Sequence, residues 1–309
     1  MWTDWRSEPV AVVNDEYALR SLARYFDVME NKKPAKFVIA KKIPINYDRK
    51  DSTEKLWQLH ENLTHEYFTL ERKIDTKLEN LEGTETPRQS FLDLKIELAN
   101  RILSSCYFCT RRCAVNRAKG ELGYCECGTQ ITVSAMFQHM GEESELVPSG
   151  TVFTQGCTMR CRHCQNWTIS QWLEDGEVYT CRNLVAAVKN LRNSGCRNIN
   201  LVGGEPIPWI KQWLQTFKDV NFNAPIIWNS NFGSNNCAKR ISDAPDYWDA
   251  CIRNLFYGKK YGELLLRILV LPGHTRLLHE TDSKLDLTEP WLESENKPDV
   301  SVSARVACV

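Results

Sequence analysis

Residues 150–164 read Gly150-Thr-Val-Phe-Thr-Gln155-Gly156-Cys157-Thr-Met-Arg-Cys161-Arg-His-Cys164. The run Gly150 to Gln155, rich in β-branched and aromatic residues, predicts a strand. It empties into three cysteines spaced C-x3-C-x2-C. Three thiolates so close in sequence can wrap one face of a metal cluster. A structural zinc site wants four protein ligands, and so does an ordinary [4Fe–4S] cluster. No fourth His or Cys stands at customary spacing, and His163 is too near its neighbours to close a tetrahedron easily. Three thiolates would leave one iron of a cluster open to a substrate; a zinc clip is the plainer alternative.

Downstream, strand and helix signals alternate. Asn198 to Val202 (NINLV) predicts a strand running into Gly203-Gly204-Glu205-Pro206, and Pro225 to Trp228 (PIIW) another, ending near Asn229 and Asn231. Leu264 to Leu271 reads as a buried strand. Helices are expected over 184–191, 210–220 and 247–257. Such alternation predicts an α/β layer or barrel with parallel strands. Residues 1–105 carry no chemical motif. Apolar residues at helical spacing predict helices over 17–28, 56–81 and 91–103, and Lys36 to Ile45 could be a short strand. The organisation expected is a helical region 1–105, a Cys-rich segment 106–149, a barrel core 150–274 and a loose tail 275–309.

The 309 residues include 13 cysteines, an odd number, in a chain with no visible export signal and no apolar run long enough to span a bilayer. A cytoplasmic protein of a reducing compartment is expected, with thiols that bind metal or do chemistry. The 39 basic and 39 acidic residues cancel, so neither nucleic acid nor membrane is expected as a partner. A second cysteine group, Cys106, Cys109, Cys113 and Cys125, offers four thiolates, enough for zinc or a complete iron–sulfur cluster; Cys127 could replace Cys125. Arg111, Arg112, Arg117 and Lys119 make this segment basic; charge near thiolates stabilises their ionised form, and a solvated loop is the plainer alternative. Cys181, Cys196, Cys237, Cys251 and Cys308 are scattered and read as small buried hydrophobes.

The triplet, followed by Gly203-Gly204-Glu205 on the next strand, resembles the signature of the radical S-adenosylmethionine (SAM) superfamily. Cys164-Gln-Asn, Asn198 to Pro206, Trp228-Asn229-Ser230-Asn231 and Leu269 to His274 together resemble the iron–sulfur proteins related to pyruvate formate-lyase activating enzyme. So does the block from Cys106 to Cys125. The resemblance implies a partial (βα) barrel of radical SAM type. It implies a [4Fe–4S] cluster on Cys157, Cys161 and Cys164, with SAM beside Gly203, Gly204, Glu205, Pro206, Asn229 and Asn231. The implied activity is that of an activase-like oxidoreductase, which cleaves SAM to a 5′-deoxyadenosyl radical using an electron donor, with a glycine of a partner protein among the substrates. The sequence departs from the family after Asn231. Phe232 to Ala244 is a polar connection without a strand signal, no Asp-x-Lys stands at the family's place, and about four strands are legible where six belong. The barrel therefore reads as shortened, and an inactive iron–sulfur or zinc binding module is the rival reading.

Overall fold

The computed structural model describes residues 22–142, 145–162 and 164–231 in full, and the backbone of 250–259 and 262–270. The expectations for His163, His274, the side chains of Cys237, Cys251 and Cys308, and the tail 275–309 lie outside the described residues.

Helices α1 (Ala23–Met29), α2 (Lys36–Lys42), α3 (Thr53–Asp75) and α4 (Phe91–Ser104) precede the sheet. Helix α3 starts where the Ser52 side chain accepts the Lys55 N–H, and it buries Leu56, Leu63, Tyr67 and Ile74 at helical spacing. Helix α4 opens with a capping box, Ser90 and Asp93 each satisfying the other's backbone N–H. The strand expected over Lys36 to Ile45 is instead α2. Burial falls on Phe37, Ile39, Ala40 and Ile43, a helical stripe rather than an alternation, and it seats the segment on α4 and the sheet helices.

Strands β1 (Ile131–His139), β2 (Ser149–Thr154), β3 (Glu177–Tyr179), β4 (Asn198–Gly203), β5 (Ile226–Ser230), β6 (Ala250–Lys259) and β7 (Gly262–Val270) form one sheet in the order β3-β1-β2-β4-β5-β6-β7. Strands β2, β4, β5 and β6 run parallel, and β1 and β7 flank them antiparallel. The fold is therefore mixed α/β, as expected. Two corrections apply. The helix expected over 247–257 is largely strand β6, whose backbone pairs with Ile227 to Ser230 of β5. Strand β1 was not anticipated, and it ties residues of the Cys-rich segment into the same ladder as β2.

The two faces of the sheet differ. Val152, Ile199, Leu201, Ile226 and Trp228 alternate onto one face and join a core with Leu184, Val188, Trp213 and Phe217. These partners come from helices α6 (Cys181–Asn193) and α7 (Ile210–Asp219). On the other face Ile227 meets Leu22, Tyr25 and Leu146, while Asn198 donates to Tyr25 Oη (3.0 Å) and to the Leu146 carbonyl (2.8 Å). The parallel ladder places Asn200 opposite Thr151 and Ile227, so a polar stripe runs along this second face. Asn200 is fully buried, and among the described residues neither atom of its amide has a hydrogen-bond partner.

Candidate functional site

Parallel strands bring their C-terminal ends to one edge, where α/β proteins gather ligands. Here Thr154 of β2 stands beside Gly203 of β4, and β5 ends next to them at Ser230. The three motifs read separately from the sequence, Cys157–Cys164, Gly203–Pro206 and Asn229–Asn231, all follow these strand ends.

The triplet loop is held from several sides. Gly156 donates to the Ile169 carbonyl at 3.0 Å, and Gln171 Nε2 donates to the Cys161 carbonyl at 2.9 Å. These two bonds fold the loop against the short helix α5 (Trp167–Ser170). The Cys164 Sγ lies 3.4 Å from Ser170 Oγ. Cys157 is buried, whereas Cys161 and Cys164 are half-buried. The Met159 N–H (3.4 Å) and the Asn231 amide (3.9 Å) both donate to Cys157 Sγ. Burial pushes the Cys157 thiol well above its ordinary range, reinforced by the Glu205 carboxylate and by Cys161 and Cys164. The three cysteines and Glu205 therefore lie within electrostatic reach of one another. Such a donor set becomes stable as thiolates when a cation compensates it, so these residues fit a metal cluster.

Glu205 is 1% exposed and is bonded to its own chain. Its carboxylate accepts from Ile207 N (3.2 Å), Ser230 Oγ (2.6 Å) and Asn231 N (2.9 Å). It stitches the end of β4 to the end of β5. Asn231 also donates from its amide to Thr158 Oγ1 at 3.1 Å, which connects the β5 end to the triplet loop. Pro206 starts the 3-10 turn Ile207–Trp209. Asn229 is buried on β5.

Gly203 and Gly204 stand where the resemblance puts SAM. Their surroundings give a reason for glycine. Gly203 has φ +123°, and a Cβ there would overlap the Thr154 backbone; a Cβ on Gly204 would overlap the Gly156 carbonyl. The turn is packed backbone to backbone against the start of the triplet loop, with the Gly204 N–H donating to the Thr154 carbonyl at 2.8 Å.

The second cysteine group abuts the first. Cys106, Cys109, Cys125 and Cys127 are buried and Cys113 half-buried. Backbone bonds Cys106 N to Val115 O and Ala114 N to Cys106 O, both 2.9 Å, close the loop between Cys106 and Cys113. Burial raises the Cys109 thiol, and the nearby Cys125, Cys106 and Cys113 add to the shift, so all four lie within electrostatic reach of one another. Cys127 packs against Gly156, and its Sγ donates to the Cys125 carbonyl at 3.3 Å. Among the described residues no three or more His, Cys, Asp and Glu side chains are placed as ligands of a single ion. A cluster distributes its thiolates over separate irons and so takes ligands spaced more widely than one ion does.

The basic loop is exposed at Arg111, Arg112 and Lys119, as expected, yet it also makes structural contacts. Arg111 Nε donates to the Thr158 carbonyl (2.7 Å), Arg160 donates to the Tyr124 carbonyl (2.9 Å), and both guanidinium groups lie on the Tyr124 ring. This clamp ties the two cysteine segments together. Arg117, by contrast, is 0% exposed and not solvated. Of the scattered cysteines, Cys196 is buried as expected, whereas Cys181 is only half-buried and hydrogen-bonds the Asp219 carboxylate at 3.5 Å. No helix among the described residues is long and apolar enough to cross a membrane.

A family profile described as Radical SAM superfamily matches residues 151–231, the stretch from β2 to the end of β5. Uncharacterized protein MJ0674 of Methanocaldococcus jannaschii is similar to this chain, with 33% identity over 282 residues, covering 82% of this chain and 80% of that protein. No solved structure matches the chain.

Proposed function

The chain belongs to the radical SAM superfamily, and from that premise we propose that Cys157, Cys161 and Cys164 hold a [4Fe–4S] cluster with SAM beside it. Gly203, Gly204, Glu205, Pro206, Asn229 and Asn231 would frame the SAM site. When bound, the cluster and SAM supply the low-potential electron and the S–C5′ bond whose reductive cleavage yields a 5′-deoxyadenosyl radical for hydrogen abstraction.

The chain's own residues have definite tasks in this reading. The Met159 N–H and the Asn231 amide favour ionised sulfur at Cys157, since hydrogen bonds to a charged form stabilise it. The half-buried Cys161 and Cys164 leave the approach open on their side of the loop. Glu205 acts as a positioning residue, fixing the β4 and β5 ends relative to each other, so the polar groups around the turn are preorganised before any ligand arrives.

The observation that carries the reading is that three motifs distant in sequence meet at one strand edge through Glu205, Asn231 and Cys157. The finer reaction, hydrogen abstraction by an activase-like oxidoreductase from a glycine of a partner protein, rests on motif likeness. So do the cytoplasmic electron donor and the partial barrel. The rival reading, an inactive binding module with a broken sheet, predicts an unpaired edge after β5. The parallel ladder from β5 to β6 supports the enzyme instead.

The test is anaerobic reconstitution with iron and sulfide, reduction by dithionite, addition of SAM and chromatography of 5′-deoxyadenosine. Product from the wild type and none from Cys161→Ala is expected. A cluster that forms without product, under conditions where an active relative turns over, would favour the inactive module.

A further inference from the structure

Arg117 is the least expected residue in the Cys-rich segment. It is fully buried, and a guanidinium stays charged at any pH a protein meets. Its Nη1 donates to the Pro208 carbonyl at 2.8 Å and its Nη2 to the Gly128 carbonyl at 2.7 Å. Among the described residues its Nε has no hydrogen-bond partner. Among the described residues no carboxylate pairs with it. Its flanks are aromatic, Trp209 at 5.6 Å and Phe108 at 6.0 Å. A buried cation without an anion is costly, and native proteins almost always supply the anion. The candidate anions on hand are sulfur. Cys106 Sγ lies 4.0 Å from Nη1, and the charge of Arg117 acts on Cys125.

We propose that Cys106, Cys109, Cys113 and Cys125 hold a second iron–sulfur cluster as four thiolates, with Arg117 as its buried counter-cation. Four thiolates on a [4Fe–4S]2+ core leave two net negative charges, one of which the buried guanidinium offsets. The local backbone is built for the purpose. Arg112 and Ala114, between Cys109 and the stretch following Cys113, and Glu126, just past Cys125, are all held at positive φ. Non-glycine residues take that conformation only when their surroundings demand it. Gly123 lies against Cys113, where a Cβ would press on its Cβ and Sγ at 3.1 Å. Cys127 is not a ligand in this assignment: it spends its S–H on the Cys125 and Gln155 carbonyls and holds the end of the segment against Gly156. Through Gly156 the centre would buttress the loop that carries the triplet.

The proposal is independent of the radical chemistry, and the experiment keeps the two apart. The triple variant Cys157→Ala/Cys161→Ala/Cys164→Ala is purified anaerobically after expression with iron and zinc, and its metal content is measured by mass spectrometry with an absorption spectrum. About four irons per chain, with the absorption of an iron–sulfur cluster, are expected; zinc without iron overturns the proposal. Adding Cys109→Ser should remove that metal. Arg117→Gln, in the same background, should speed loss of metal to a chelator at least tenfold. A folded triple variant without bound metal overturns the proposal. Should the triple variant not fold, the wild-type chain decides: about eight irons support the second cluster, and about four irons, with or without zinc, overturn it.

Discussion

Replacing Glu205 by Gln separates two roles that the carboxylate can have. In the structure it accepts three hydrogen bonds, from Ile207 N, Ser230 Oγ and Asn231 N, in a site 1% exposed. A glutamine keeps one acceptor oxygen and turns an NH2 toward the other partners. Its best arrangement keeps the Asn231 N–H bond and lets the Ser230 hydroxyl rotate to accept, leaving the Ile207 N–H unsatisfied. One lost backbone partner and the lost charge assistance together cost about 2–4 kcal/mol, allowing some return from no longer burying a charge. The assay is urea unfolding of the metal-free protein without SAM, followed by circular dichroism. The midpoint should fall at constant slope. A change within about 0.5 kcal/mol, the range of an ordinary surface substitution, would refute the argument that Glu205 holds the β4 and β5 ends together.

Gly204→Ala should be more damaging than an ordinary glycine replacement, because its Cβ collides with the Gly156 backbone. A loss of at least about 3 kcal/mol, or no folded protein, is expected from thermal unfolding. Ser90→Ala removes the capping box of α4 and should cost about 1 kcal/mol in the same measurement. Lys41 donates to the Phe217 and Val220 carbonyls, and burial lowers it from 10.5 to about 8. Between those values the native state binds fewer protons than the unfolded chain, so this group makes stability rise with pH across that window. In Lys41→Met that contribution is absent, and the difference in unfolding free energy between wild type and variant should shift toward the wild type from pH 8 to 10.5.

The triplet, the Gly203–Glu205 turn and the central strands were legible because each has a strong local signal. Residue spacing marks metal ligands, and short runs such as NINLV and PIIW mark buried parallel strands. The misreadings have physical causes. Lys36 to Ile45 carries β-branched and aromatic residues, yet packing selects the helical stripe there. The apolar residues of 247–257 suit either period, and only pairing with β5 decides for a strand. Arg117 read as solvated because sequence shows charge and not burial, and Glu205 read chiefly as a ligand contact because its partners on β5 are distant in sequence. Asn200 carries no motif, and only the structure reveals its buried, unsatisfied amide on the polar face of the sheet.

The central claim is that three cysteines leave one iron open to SAM. Its most direct test is the electron paramagnetic resonance spectrum of the reconstituted, dithionite-reduced protein, recorded before and after SAM is added in excess. The account predicts that SAM shifts the g-values of the reduced cluster in the wild type, and that Cys161→Ala lacks the responding signal. A reduced cluster spectrum that SAM leaves unchanged would contradict it.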